Sequence, residues 1–220
     1  QGIPYSGGNY KKYSHSLFFG DPDNGYDVDV YRLGSNYAHY FDNAWTFKQN
    51  FAVTKTETLG DSILASGRST LPTIKRAINN QDKQDVNYTL DNNLQRNFNF
   101  GLINYDVMVG VDMMRERSDY YRRTDTINDF DVNNPSYGNI SIKKVGLPTE
   151  EITYSQYAGL YLRNTIKIDD DWIIGLSGRH DWTQVEIDNI LTNTTTKNSD
   201  NAFTGSASVM YRINGMFAPY

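Results

Sequence analysis

The sequence runs to 220 residues, with 21 Lys and Arg against 26 Asp and Glu and a formal net charge of −5. That balance leaves no basic footprint for nucleic acid, so no nucleic-acid partner is expected. The absence of cysteine excludes a disulfide framework, a thiolate zinc site and a thiol nucleophile.

Aromatic residues make up 14% of the chain, and its 17 tyrosines outnumber 10 Phe and 3 Trp together. No apolar run of about eighteen residues occurs, which excludes a transmembrane helix. The mean hydropathy of −0.63 does not exclude a transmembrane barrel, because such strands interleave lipid-facing and lumen-facing residues. The opening "QGIPYSGGNYKKY" lacks the apolar core of a signal peptide, so the sequence reads as mature or cut at the front.

In chain order, the first 27 residues are polar and read as a loop, with "DPDNGYD" (Asp21–Asp27) as a turn. The EF-hand spacing that a calcium site would need is missing there. Weak period-two alternation then predicts strands at about 28–41 (Tyr31, Leu33, Tyr37, Phe41), 45–57 (Trp45, Phe47, Phe51, Val53) and 85–98 (Val86, Tyr88, Leu90, Leu94, Phe98). The alternation is strong over 103–117, where Val107, Val109, Val111 and Met113 share a face opposite Asp106, Asp112 and Glu116. It recurs over 154–168, with Leu160, Leu162 and Ile166 against Tyr161, Arg163 and Lys167. Over 172–186, Ile174, Leu176, His180 and Trp182 oppose Arg179 and Asp181, and over 203–213 Ala207 and Val209 oppose Ser208 and Arg212. A last strand begins at Met216.

These strands exceed the usual globular length of about 5–6 residues. Short connections are predicted at 42–44, 99–102, 169–171 and Asn214-Gly215, the last a favoured hairpin dipeptide. Long polar ones are predicted at 58–84, 118–153 and 187–202. Short turns at one end and long loops at the other is the plan of an outer-membrane barrel. Trp45, Trp172, Phe41 and Phe98 flank the short turns as an aromatic girdle, and Trp182 and Tyr154 mark the opposite interface.

Candidate chemistry is sparse. His180 and Asp181 are adjacent on a strand, so they point to opposite faces and cannot share a ligand or pass a proton directly. They read as wall. His15 and His39 have no partner at ligand spacing, and no GxSxG, HExxH or Walker-type loop occurs. No metal site, cofactor or catalytic residue is expected. "MRERSDYYRRTD" (Met114–Asp125) is either a solvated strand extension or a vestibule that contacts ligand through Arg and Tyr. Lumen-facing Arg163, Arg179 and Arg212 are expected to pair with lumen carboxylates.

At this point the motifs resemble a family. "GLSGRHDW" looks like the "LGGRYDW" strand of TonB-dependent siderophore receptors, and "VMVGVDMMRERSDY" like their "LLxGVDFxxxR" strand. "LFFGDPDNGYD" resembles a "GDPxxN" segment, "DVNNPSYGN" an "NPxYG" loop, and "YRINGMFAPY" the start of "YxxxNGxxPYxSYSxSF". "YLRNTIKIDDDWIIGLSGRHDW" is similar to the family's "YxQDQxxxxDxxxLxxGxRYDW" hairpin. His180 stands where the family usually shows Tyr. The nearest subgroup is the ferric hydroxamate receptors of ferrichrome and ferrioxamine type.

The resemblance implies an all-β, antiparallel up-and-down meander of about seven or eight strands, a partial segment of a 22-stranded transmembrane β-barrel. Residues 1–220 would form part of the barrel domain, with plug and later strands lying outside the sequence. The implied function is import of a ferric siderophore across the outer membrane of a Gram-negative bacterium. The receptor would be a non-enzymatic monomer when complete, seated in outer-membrane lipid and driven by the TonB complex through the missing N-terminal part. Candidate ligand contacts in the longest loop are Tyr120, Tyr121, Arg122, Arg123, Phe130 and Tyr137. The rival readings are a small eight-stranded barrel with an adhesive or structural role, and a secreted β-sandwich that binds glycans.

Overall fold

The computed structural model describes residues 5–6, 9–10, 17–66, 72–169 and 171–212. A two-stranded ladder pairs β1 (Tyr5–Ser6) with β2 (Asn9–Tyr10). One antiparallel sheet holds β3 (Tyr26–Tyr40), β4 (Trp45–Ala65), β5 (Thr73–Phe100), β6 (Ile103–Asp131), β8 (Pro148–Ile168), β9 (Trp172–Asn189) and β10 (Thr194–Tyr211). Each pairs with its neighbour in the chain, save that the short β7 (Ile142–Lys144) pairs with β6 from the side. No helix occurs among the described residues. The meander is as expected; the last strand at Met216 and the Asn214-Gly215 turn lie outside the described residues.

The connections at one end are tight. Gly101 takes φ 70° between Phe100 and Ile103, and Ala44 donates its N–H to the Phe41 carbonyl at 3.0 Å. At the other end the expected long loops prove to be mostly strand, which corrects the boundaries read from sequence. β4 and β5 extend to Ala65 and back from Thr73, β6 continues to Asp131, and β9 and β10 meet over residues 190–193. The reason is physical. Beyond the apolar stretch both faces of these strands are polar, so period-two alternation vanishes while the backbone ladder continues unbroken.

Cross-strand register puts like residues in rows. One row reads His39, Phe47, Leu94, Val109, Leu162, Gly178, Gly205, all on the apolar face. Below it lie Trp45, Val107, Leu176 and Ala207, then Phe98, Tyr105, Ile166, Ile174 and Val209. This is the facing expected for Val107, Val109, Val111, Leu160, Leu162, Ile174, Leu176, Ala207 and Val209. From Ile103 to Met113 the band is about ten residues high, or about 33 Å along the strand.

The band runs obliquely to the rows. Its upper aromatic edge passes from Phe203 on β10 to Tyr31 on β3, a climb of about six residues across the sheet. At about 3.3 Å per residue and about 4.8 Å per strand, the strands tilt by about 35° against the band. The apolar height is then about 27 Å, close to the roughly 25 Å of an outer-membrane barrel.

Rings mark the lower edge. Trp45 meets Phe98 edge-on at 6.1 Å, Phe98 stacks on Phe100 and Tyr105 at 6.0 Å each, and Trp172 lies 4.6 Å from Tyr211. At the upper edge His180 packs on Trp182 at 4.3 Å, so it is wall as the sequence indicated. Four polar groups on this face bond to one another: Tyr105 Oη donates to Asn164 at 2.5 Å, and Gln49 Nε2 donates to Asn92 at 2.8 Å.

Candidate functional site

The opposite face is mainly polar, with Met108, Met114, Ile173 and Met210 among its residues, and its middle is organised by one arginine. Asp91, Asp112, Gly159 and Asp181 form a single cross-strand row. Arg179, one row below, donates Nη2 to both Asp112 oxygens (2.8 and 3.0 Å) and Nε to Asp181 (2.6 Å). Its guanidinium lies 5.4 Å from the Tyr157 ring and 5.7 Å from the Tyr161 ring. Tyr157 Oη donates to Asp181 at 2.9 Å and Tyr161 Oη to Asp91 at 2.9 Å.

Two glycines make this possible. A Cβ at Gly159 would run into Arg179 and Asp112, and one at Gly110 would overlap the Tyr161 ring. The pairing expected for Arg179 is therefore present. It is not for Arg163 and Arg212, whose guanidinium groups meet no carboxylate among the described residues. Asp106, on the same face as Arg163, is bound instead by Asn97 at 2.7 Å.

Above the apolar band the sheet continues as a crown, and here the expected ligand contacts separate. Tyr120, Tyr121, Arg122, Arg123 and Phe130 lie on β6 rather than in a loop. Strand alternation puts Tyr120 and Arg122 on the polar inner face with Asp112, and Tyr121 and Arg123 on the outer face. Tyr120 is flanked by Lys83 on β5 and Glu151 on β8, with the exposed Arg122 guanidinium 6.0 Å from its ring. Arg123 is engaged by Asp125, donating from Nε to both oxygens at 3.1 Å.

Phe130, expected at the mouth, is 2% exposed. Beside a register shift between Ile74 and Arg76, Phe130 packs with Phe19, Ile74 and Val132. The Arg76 guanidinium lies 5.1 Å from the Phe130 ring and donates to the Asn128 and Phe19 carbonyls. Tyr137 is partly exposed, packs 5.7 Å from Phe130 and donates to the Phe18 carbonyl at 3.0 Å. Phe130 and Tyr137 thus come together, and so do Tyr120 and Arg122, but the six residues form no single site.

Sequence reasoning missed that two of its motifs are one structure. The buried Asp21 of "GDPDNG" accepts hydrogen bonds from the Gly138 N–H of "NPSYG" (2.6 Å) and from the Asp23 N–H (3.2 Å). Gly138 adopts φ 75°, a conformation suited to glycine. The turn reading of this stretch holds, since the Asn24 N–H reaches the Asp21 carbonyl at 3.1 Å. A second buried carboxylate, Asp125, is held below its usual pKa by the Gly146 N–H at 2.9 Å and by Arg123, against the opposing effect of burial. Among the described residues no group of His, Cys, Asp and Glu is arranged to hold a metal ion.

Comparison with known proteins agrees with this geometry. The chain is 25% identical over 231 residues to the ferrioxamine receptor of Yersinia enterocolitica, covering 99% of this chain and 32% of that protein. It is 29% identical over 224 residues to the ferrioxamine B receptor of Salmonella typhimurium, covering 99% and 30%. The chain thus spans about a third of the length of these curated relatives. Among solved structures, the siderophore receptor PiuA of Acinetobacter baumannii superposes with a TM-score of 0.84 at 14% identity, covering 97% of this chain and 35% of that one. The ferric-catecholate import receptor Fiu of E. coli K12 gives 0.76 at 18% identity, covering 91% and 36%. The TonB-dependent receptor-like β-barrel family matches residues 1–220, and the chain belongs to that family.

Proposed function

We propose that this chain is part of the barrel wall of an outer-membrane receptor that imports a ferric siderophore of hydroxamate type, with energy supplied by the TonB complex. The relatives named as ferrioxamine receptors support the cargo class. The observation that carries the reading is the division of the sheet. One face bears an apolar band about 27 Å high, edged by rings, and the other is mainly polar up to the Tyr120–Arg122 pair.

Tyr120 and Arg122 are the residues of this chain assigned to the ligand. A flat ring and an uncommitted guanidinium suit the polar, oxygen-rich surface of an iron hydroxamate complex. Tyr137, which packs on Phe130, stands apart from this pair. Tyr121 and Arg123 face the outside of the wall, and Phe130 supports the crown from within. No bond is made or broken in this role, so no catalytic residue is assigned.

The test is uptake of radiolabelled ferrioxamine by cells whose sole hydroxamate receptor is the complete protein containing this wall. Accumulation that stops when the proton gradient is collapsed supports the reading. Absent uptake from cells with receptor at normal surface level would sink it. A complete protein recovered without detergent from the soluble fraction would overturn the membrane reading.

A further inference from the structure

The apolar face carries one charge that nothing in the wall accounts for. In the rows from Phe100–Ile103 up to Phe51–Met113–Trp182, Arg96 is the single Lys or Arg among the described residues, and no Asp or Glu occurs. Arg96 stands beside Trp45 and Val107, at the lower aromatic edge. Its guanidinium lies 4.3 Å from the Phe98 ring centroid and 5.7 Å from that of Trp45. Its Nε is buried with no hydrogen-bond partner, and no acceptor reaches the rest of the group among the described residues. The carboxamide in the same row, Asn164, accepts from Tyr105 and has no hydrogen bond to Arg96.

The two rings flank the guanidinium and offer its donors no acceptor, and with Nε buried the Nη1–Nη2 edge is the one left for a ligand. An unpaired charge on an apolar surface is costly, and the cost falls when an anion supplies acceptors at the same depth. Aromatic edges of a barrel sit at headgroup level, where phosphate oxygens are abundant. A guanidinium fork matches two oxygens of a phosphodiester, and long acyl chains would lie on Val107 and Leu176 in the same row and on Leu94 and Val109 just above.

We propose that Arg96, framed by Trp45 and Phe98, binds the phosphodiester of a glycerophospholipid in the leaflet at the short-turn end of the barrel. The inference rests on the membrane-barrel reading above but not on the cargo. The complete receptor, delipidated in mild detergent, is titrated with dioleoylphosphatidylglycerol and bound lipid is counted by native mass spectrometry. Wild type should bind about tenfold more tightly than Arg96→Gln, the scale of one lost charge-assisted contact. Arg96→Lys, which keeps the charge without the fork, should fall between them. Dioleoylglycerol, lacking phosphate, should not distinguish wild type from variant, and excess inorganic phosphate should not displace the lipid.

Equal binding by wild type and Arg96→Gln would overturn the proposal. So would equal discrimination with dioleoylglycerol, which would indicate acyl packing alone, or displacement by free phosphate, which would indicate a simple anion site. Heat-dependent gel mobility establishes that each variant is folded; should Arg96→Gln fail it, the comparison of Arg96→Lys with wild type decides. Ferrioxamine uptake by the same wild-type receptor is scored separately, so a failure of the cargo reading is distinguishable from a failure of this one.

Discussion

The lower wall and the crown are made of the same strands and held by different forces. In the lower wall one face is apolar and, among the described residues, bears Arg96 as its single Lys or Arg and no carboxylate, while the Arg179 network ties β6, β8 and β9 together from the polar side. In the crown both faces are wet, and the ladder is supported by a small buried cluster around Phe130 and by carboxylates that cap loop N–H groups, Asp21 on Gly138 and Asp125 on Gly146. Solvent therefore specifies the first region and local contacts the second. The lower wall should be sensitive to what its surface faces, and the crown to the loss of single polar partners.

The largest effect expected is Val109→Arg. Val109 sits mid-band between Leu94 and Leu162, so a charge there would face hydrocarbon. The complete barrel should lose about 2–4 kcal/mol in reversible unfolding from lipid bilayers. Unchanged stability would mean that this face does not meet lipid, and would erase the distinction between the two regions at its strongest point.

Next comes Arg179→Ala. It leaves Asp112 and Asp181 beside Asp91 without their shared cation, and Tyr157 and Tyr161 without the group they enclose. A loss of about 1–3 kcal/mol in the same unfolding assay is expected, with Arg179→Lys recovering part of it. A neutral Arg179→Ala would mean that the polar face is held by whatever fills the lumen rather than by its own network.

The contrast also explains what could be read from the chain. The ends of β4, β6 and β9 at the short turns were placed at Trp45, Ile103 and Trp172 because aromatic and apolar residues begin there abruptly. The far ends were missed because Gly60, Asp61, Gln81, Asp82, Thr195 and Lys197 offer no alternation to follow when neither face is dry. The site behaved in the same way. Alternation alone puts Tyr120 and Tyr121 on opposite faces once the strand is known to continue, but a loop assignment hides that. Phe130 is buried beside a register shift at Ile74 and against the distant Phe19, neither of which leaves a local sequence signal.

The split between Tyr120 and Tyr121 yields the next test. Tyr120→Ala in the complete receptor should weaken ferrioxamine binding to cells by about 1–2 kcal/mol, the effect of truncating a well-packed interface ring. Tyr121→Ala, on the outer face, should leave affinity unchanged at matched surface levels. If Tyr121→Ala is as damaging as Tyr120→Ala, the effect travels through the fold of the crown and the inner face loses its claim to the ligand.

The smallest effect is confined to one connection of the crown. The Asp125 carboxyl has a pKa below its ordinary value, so its contribution is present above the unfolded-state pKa of about 3.9 and is lost as pH falls through the lower, folded value. What is lost there is the bond from the Gly146 N–H and the pairing with Arg123. Lowering the pH should therefore free the segment around 142–147 while the apolar band, which carries no carboxylate, stays intact. Hydrogen exchange at the Gly146 amide, corrected for its intrinsic pH dependence, should accelerate in acid relative to the amides of Val107 and Val109. Asp125→Asn should show faster exchange at neutral pH and lose the acid dependence. Equal protection of Gly146 in wild type and variant across the pH range would show that β7 alone holds this connection, and that the crown, like the wall beneath it, does not depend on a single polar partner.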